Sequence, residues 1–303
     1  MKRDFVAVTD FSEAEIRETL KLAIEIKKKP HHLDVLSGKT VACIFHKPSL
    51  RTRISFEVGI QQLGGHSLYI TEKEIELGVR ETIHDAAKVL SRYVNMIMIR
   101  TFSHDSVVEL AHHADVPVIN GLTDLSHPCQ IMADMQTIVE HKGKIDGIKI
   151  AYLGDGNNVA NSWLEAAARL PFDLRIGTNK DTPPDAGLLE VAKRAGKSKI
   201  LVTDDPARAV VNADVIYTDV WASMGQKHLA DEKIKLLADF QVNARLLHKA
   251  DSQVIVMHCL PANRGQEITD EVIDGPHSVV FDQAENRLHA QKAIMIKLAR
   301  ESF

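Results

Sequence analysis

The sequence predicts an α/β protein of two domains, each a parallel sheet flanked by helices. Apolar runs of strand length alternate with helix-period segments from end to end. The alternation breaks once, in the polar, glycine-containing stretch His141–Gly147, and then restarts. The length, 303 residues, suits two cores of ordinary size, expected over 1–142 and 147–283.

Ser12 and Glu15 form a capping box, opening a helix that runs through Ile16, Leu20 and Ile24 to Lys27–Lys29. Strands are expected at Val41–Phe45, Ser67–Ile70, Met96–Ile99 and Val116–Ile119. Helical patterns such as Arg53–Leu63, Ile83–Tyr93 and Cys129–His141 follow them. Beyond the break, strands are expected at Lys149–Leu153, Asp173–Ile176, Ile200–Val202, Val215–Tyr217 and Gln253–Met257, with a short one at Val279–Phe281. Gln130–Glu140 reads as a bridge between the halves, and a last helix is expected near Gln283–Arg300.

Composition narrows the function. Lys plus Arg number 37 and Asp plus Glu 41, for a net charge of −4, and no basic block offers a nucleic-acid surface. No apolar run approaches the roughly 18 residues of a membrane span. The amino-terminal stretch lacks a signal core, so a cytoplasmic location is expected. Cys43, Cys129 and Cys259 are odd in number and scattered, which argues against a disulfide framework or a paired zinc site. No metal or cofactor is expected, because the histidines lack paired ligand spacing. His31–His32 and His112–His113 read as surface residues.

In open parallel sheets, ligands bind beyond the carboxyl ends of strands, so polar clusters placed there are informative. The first is Lys47-Pro48-Ser49-Leu50-Arg51-Thr52-Arg53, between a strand and a helix. It reads either as a capped, solvated helix start or as a phosphate site. Hydroxyls interleaved with guanidinium forks beside free helix N–H groups favour the phosphate. It is not a Walker loop. Arg100 ends its strand and either reaches the same anion or snorkels. In His127-Pro128-Cys129-Gln130, Pro128 suits the first helical position, which leaves His127 at the cap with Gln130 on the same side.

Gly154-Asp155-Gly156-Asn157-Asn158 starts like a dinucleotide fingerprint and then fails. Val159 holds the third glycine position, and the next strand ends without a ribose-binding acid. A tight turn presenting Asn158 fits better, with a plain glycine turn as the alternative. Asp219 ends a strand ahead of the small-residue loop Val220–Gly225, and could hold an ammonium. The alternative is a surface loop with Trp221 and Met224 packed on the core. In His258-Cys259-Leu260-Pro261, Cys259 is either a nucleophile paired with His258, a thiol that orients an amine, or a small buried residue.

These clusters, in this order, resemble the aspartate/ornithine carbamoyltransferase family over essentially the whole chain. The stretches Val89–Tyr93 and Asn120–Leu125 also look like that family. The resemblance implies a first domain that binds carbamoyl phosphate, a second that binds ornithine, and an active site in the cleft. It also implies a last helix (284–303) returning to the first domain, and a homotrimer or a multiple of it.

Position by position, it implies that Ser49, Leu50, Arg51, Thr52 and Arg53 form the carbamoyl phosphate loop. Arg100, His127 and Gln130 would hold the carbamoyl group and phosphate, with Arg287 as a late arginine of the same site. Asn158, Asp219, Ser223 and Met224 match ornithine positions, and Cys259 and Leu260 match positions beside the reacting amine that also border carbamoyl phosphate. Leu50 departs from the family's usual Thr, so a hydroxyl contact is lost there while the backbone N–H remains. Leu77–Glu81 departs from the usual Leu-Gly-Arg-Gly-Glu.

The implied reaction carries the carbamoyl group of carbamoyl phosphate to the δ-amine of L-ornithine, giving L-citrulline and phosphate, a step of arginine biosynthesis. Arg100, His127, Asp219 and Cys259 would be catalytic. Putrescine, N-acetylornithine or aspartate are the alternative acceptors. An NAD-dependent oxidoreductase and an inactive scaffold are the rivals from other classes.

Overall fold

The computed structural model describes residues 2–29, 33–222 and 230–302. It divides into two compact units, Met1–Gln136 with Glu285–Phe303, and Thr137–Ala284. In the first, helix α1 (Glu13–Lys28) precedes strand β1 (Thr40–Phe45), α2 (Leu50–Gln62), β2 (His66–Thr71), α3 (Glu72–Ile75) and α4 (Ile83–Tyr93). Strand β3 (Met96–Arg100), α5 (His104–His113), β4 (Val118–Leu122) and α6 (Pro128–Lys142) follow. Ser12 opens α1 with the expected capping box: its hydroxyl accepts from Glu15 N–H, and its own N–H donates to the Glu15 carboxylate.

The second unit contains β5 (Lys149–Leu153), α7 (Asn158–Ala167), β6 (Asp173–Gly177), α8 (Ala186–Ala195), β7 (Lys199–Thr203) and α9 (Pro206–Val210). Strand β8 (Val215–Thr218), α10 (Ala230–Leu237), α11 (Ala244–Leu247), β9 (Ile255–His258), α12 (Asp270–Ile273) and α13 (Val280–Ser302) complete the chain. The boundary between units falls inside α6, and α13 passes from the second unit into the first.

Both sheets are wholly parallel, as the alternation required, with orders β2-β1-β3-β4 and β7-β6-β5-β8-β9. The inner strands are runs of buried apolar residues, such as Val41–Phe45 and Met96–Ile99, as strands covered on both faces require, whereas the edge strands β2 and β7 are mostly half-buried. Each order reverses direction once. In the first sheet the switch lies between β1 and β3, where Phe45 pairs with Arg100. In the second it lies between β5 and β8, where Leu153 pairs with Thr218. The loops leaving these strand ends are therefore where a ligand crevice opens.

One expected element is absent. Val279–Phe281 is not a strand; α13 begins at Val280, and only an isolated bridge joins Val256 to Ser278. Val279 and Val280 are both buried while Phe281 is exposed, the pattern of a helix start rather than of alternating faces. Three apolar residues cannot distinguish the two by period.

Candidate active site

At the first switch point, Ser49 caps α2 by accepting from the Thr52 N–H at 3.3 Å. This aims the opening N–H groups of α2 into the loop after β1. Thr52 is buried, and its hydroxyl oxygen accepts from Arg100 Nη1 (3.4 Å) and Arg287 Nη2 (3.1 Å). Arg287 Nη1 donates to Gln130 Oε1 at 2.7 Å, and Gln130 Nε2 donates to Asp134 Oδ1 at 2.8 Å. Gln291, with its amide oxygen turned to Arg287, accepts from Nε (3.2 Å) and Nη2 (3.0 Å) and donates to Ser55 Oγ (2.6 Å).

His127 stands just before Pro128, the first residue of α6, and is buried. Burial, then the charges of Arg287, Arg100 and Arg51, hold its pKa well below 6.5. The imidazole is therefore neutral near pH 7, and charge on this face comes from the guanidiniums. Residues from β1–α2, β3, α6 and α13 thus converge on Thr52. The result is a set of cationic forks and helix N–H donors suited to a phosphate-bearing ligand.

Two members of the expected loop behave differently. Leu50 points outward, 70% exposed, leaving only its backbone N–H for a ligand. Arg53 does not join the set: its guanidinium stacks over Tyr69 at 3.8 Å and pairs with Glu57 at 2.9 Å. One helical turn carries Arg51 and Arg53 in different directions, since residues two apart do not share a face. Lys47 is buried against Asp124, with its ammonium 4.2 Å from the centre of the Phe102 ring.

At the second switch point, Asp219 leaves β8 and meets Cys259, which follows β9. The Cys259 thiol donates to Asp219 Oδ1 at 2.7 Å, and Val220 N–H donates to the same oxygen at 2.7 Å. Asn157 Nδ2 donates to Asp219 Oδ2 at 2.8 Å. Asn158, the first residue of α7, is buried beside this group. Cys259 is half-buried, whereas Cys43 and Cys129 are fully buried, with burial pushing each thiol up to about 12. Ser223, Met224 and Gly225, like His31 and His32, lie outside the described residues.

A nucleophilic Cys–His pair is not formed. His258 Nδ1 accepts from Leu260 N–H at 2.8 Å, which puts the ring proton on Nε2, facing Glu267 at 3.1 Å. Both ring nitrogens are committed away from Cys259. The same bonds bear on a metal. Asp219, His258 and Cys259 bring ligand atoms within 4.8 Å of one another, but each is already engaged in a hydrogen bond.

The dinucleotide-like turn is also accounted for. A side chain at Gly156 would meet the Pro183 carbonyl carbon at 2.2 Å, so the Pro183–Pro184 backbone fills the space a pyrophosphate would need. Gly154 takes a φ of +130°, open only to glycine.

Asp134, Gln291 and Asn157 belong to these networks, although sequence reasoning gives them no prominence. Each had a signal. Asp134 is four residues from Gln130 and Gln291 four from Arg287, the spacing of one helix face, and Asn157 is an N-cap.

Comparison with known proteins gives a family for each half of the chain. Residues 3–140 match the family described as aspartate/ornithine carbamoyltransferase, carbamoyl-P binding domain. Residues 146–298 match its Asp/Orn binding domain. The chain is 54% identical over 303 residues to the ornithine carbamoyltransferase of Thermococcus kodakarensis, covering 97% of this chain and 95% of that one. The ornithine carbamoyltransferase structure from Pyrococcus furiosus superposes with a TM-score of 0.92 at 49% identity, covering 97% of this chain and 96% of that one. The anabolic enzyme from Campylobacter jejuni superposes at 0.94 with 36% identity, covering 99% of each chain. The chain belongs to the aspartate/ornithine carbamoyltransferase family.

Proposed function

We infer that this protein transfers the carbamoyl group of carbamoyl phosphate to the δ-amine of L-ornithine, giving L-citrulline and phosphate. The observation that carries this reading is the thiol–carboxylate pair Cys259–Asp219 at 2.7 Å, an acceptor-amine site in a chain whose other unit gathers guanidiniums around Thr52. Full-length identity to relatives named for ornithine supports that acceptor over putrescine, N-acetylornithine or aspartate.

In this reading the α2 N–H groups, Ser49, Leu50 N–H, Arg51 and Thr52 hold the phosphate. Arg100, the neutral His127 and Thr52 donate to the carbamoyl oxygen and stabilise the tetrahedral oxyanion that forms on attack. Gln130 and Arg287 complete that set. Asp219 and Cys259 orient the ornithine side-chain amine, with Asn158, Ser223 and Met224 along the rest of the substrate and Leu260 beside the reacting groups. The δ-ammonium must lose one proton before its nitrogen attacks the carbonyl carbon. As the C–O bond to phosphate breaks, the phosphate leaves and accepts a proton. No covalent enzyme intermediate is required.

The family resemblance further supports a homotrimer or a multiple of it. The apolar side chains Leu50, Val79 and Tyr93, each at least 70% exposed on the first unit, are consistent with a surface that meets other copies. No helix among the described residues is long and apolar enough to cross a membrane, which is compatible with a cytoplasmic enzyme of arginine biosynthesis.

The test is citrulline formation with ornithine, putrescine, N-acetylornithine and aspartate in parallel. Product from ornithine alone is expected, and its absence refutes the assignment.

A further inference from the structure

Asn157 occupies an unusual place among the residues around Asp219. Its amide oxygen accepts from Val159 N–H (2.9 Å) and Ala160 N–H (3.3 Å), which caps α7, and the Tyr152 hydroxyl stands 3.1 Å away. Tyr152 lies inside β5, and its single hydroxyl proton is shared with the nearer Asp155 carbonyl (2.9 Å), so the helix N–H groups do most to fix the oxygen. With its oxygen held on that side, the amide nitrogen must face the other way, and there it donates to Asp219 Oδ2 at 2.8 Å.

An ionised carboxylate offers about four acceptor positions. Val220 N–H and the Cys259 thiol occupy both positions on Oδ1, and Asn157 takes one on Oδ2. Among the described residues, this leaves one direction on Asp219 in which to receive a cationic amine. That direction is set by Asn157, because it is the only one of the three groups that acts on Oδ2.

We propose that Asn157 is a positioning residue: beyond capping α7, it clamps the Asp219 carboxylate so that its last acceptor position faces the substrate amine. This rests on the reading that Asp219 receives ornithine. The residue acts through Asp219 and need not touch the substrate itself.

Ser and Asp are both good N-caps, so Asn157→Ser and Asn157→Asp preserve the helix start and the neighbouring Asn158. Neither preserves the donor to Oδ2. For Asn157→Ser, KM for ornithine is expected to rise about ten-fold, with KM for carbamoyl phosphate and the melting temperature close to wild type. Asn157→Asp places a second carboxylate beside the ornithine ammonium, which holds more tightly the proton that must leave before attack. The acidic limb of its log kcat/KM profile for ornithine is therefore expected to move to higher pH by about one unit.

Should both variants fold and retain wild-type ornithine kinetics and pH profile, Asn157 is a helix cap alone and the proposal is overturned. Asp219→Asn, run beside them, separates the two levels. A wild-type KM for ornithine in Asp219→Asn overturns the reading of Asp219, and this proposal with it. Impaired Asp219→Asn alongside unimpaired Asn157 variants overturns only the role of Asn157.

Discussion

Thr52→Val replaces a hydroxyl by a methyl at nearly constant shape and no change of charge. It therefore isolates what the hydroxyl does. In the free protein that oxygen accepts from Arg287 Nη2 at 3.1 Å and from Arg100 Nη1 at 3.4 Å, in a buried setting. A hydrogen bond from a charged donor contributes about 1.5–3 kcal/mol, and the longer contact belongs at or below the low end. Arg287 keeps Gln130 and Gln291 as partners, which limits the loss on that side. A total near 2 kcal/mol follows, or about 30-fold in kcat/KM for carbamoyl phosphate. The matching signature is an ornithine KM, measured at saturating carbamoyl phosphate, that changes little. Steady-state kinetics with each substrate varied, together with urea unfolding to exclude global damage, decides the matter. A folded Thr52→Val enzyme with unchanged kcat/KM for carbamoyl phosphate refutes both roles given to Thr52, holding the two arginines and donating to the carbamoyl oxygen.

Other consequences follow from the same geometry. Because the folded pKa of His127 lies below its unfolded value, the unfolded chain alone takes up that proton as pH falls below 6.5. Stability should therefore drop with falling pH, and His127→Gln should flatten that part of the denaturation-versus-pH curve; an identical slope counts against a buried neutral ring. At pH 8 iodoacetamide should modify Cys259 and spare Cys43 and Cys129, whose thiols are pushed up to about 12, and the two substrates together should protect Cys259. Mass spectrometry of the alkylated peptides reads this directly. Arg51→Ala should weaken carbamoyl phosphate binding by roughly 2 kcal/mol, and Arg53→Ala by much less, since Arg53 is spent on Tyr69 and Glu57. Equal losses would show that Arg53 swings into the site. Gly156→Ala drives a Cβ to 2.2 Å from the Pro183 carbonyl carbon. Because the obstacle is backbone, a loss of about 3 kcal/mol is expected in denaturant unfolding.

The strands and their order of appearance were legible because parallel sheets buried on both faces leave continuous apolar runs, as at Met96–Ile99 and Lys149–Leu153. Where a run is only three residues long, at Val279–Phe281, period carries no information and a helix start looks like a strand. The candidate site's polar residues were legible in part for the same reason: Arg100, Asp219 and Cys259 stand at or just past strand ends, where polar residues interrupt apolar sequence. Arg53 could not be placed by sequence. Its separation from Arg51 depends on where Tyr69 of β2 stands beside α2, and that pairing is written in neither segment alone. Gln291 and Asp134 were hidden differently. They sit within helices rich in polar residues, and nothing marks one of them until its partner's direction is known.

The switch points explain why polar residues distant in sequence have to be read in pairs. Chain reversal in a parallel sheet brings the end of an early strand beside the end of a later one, so Phe45 meets Arg100 and Leu153 meets Thr218. Each half-site then draws one element from the loop of the early strand and another from the tip of the later one: Thr52 with Arg100, Asn157 with Asp219. In both, the early loop supplies a helix cap, Ser49 or Asn157, whose bonds to the first-turn N–H groups fix the loop before any ligand arrives. The caps differ in one respect. Ser49 spends its hydroxyl on the Thr52 N–H, whereas Asn157, an amide, has a nitrogen left over after its oxygen caps the helix. That surplus donor is what reaches Asp219. A serine at this position would cap α7 equally well and leave Oδ2 of Asp219 without its donor, so the choice of asparagine answers to the second switch point rather than to the helix.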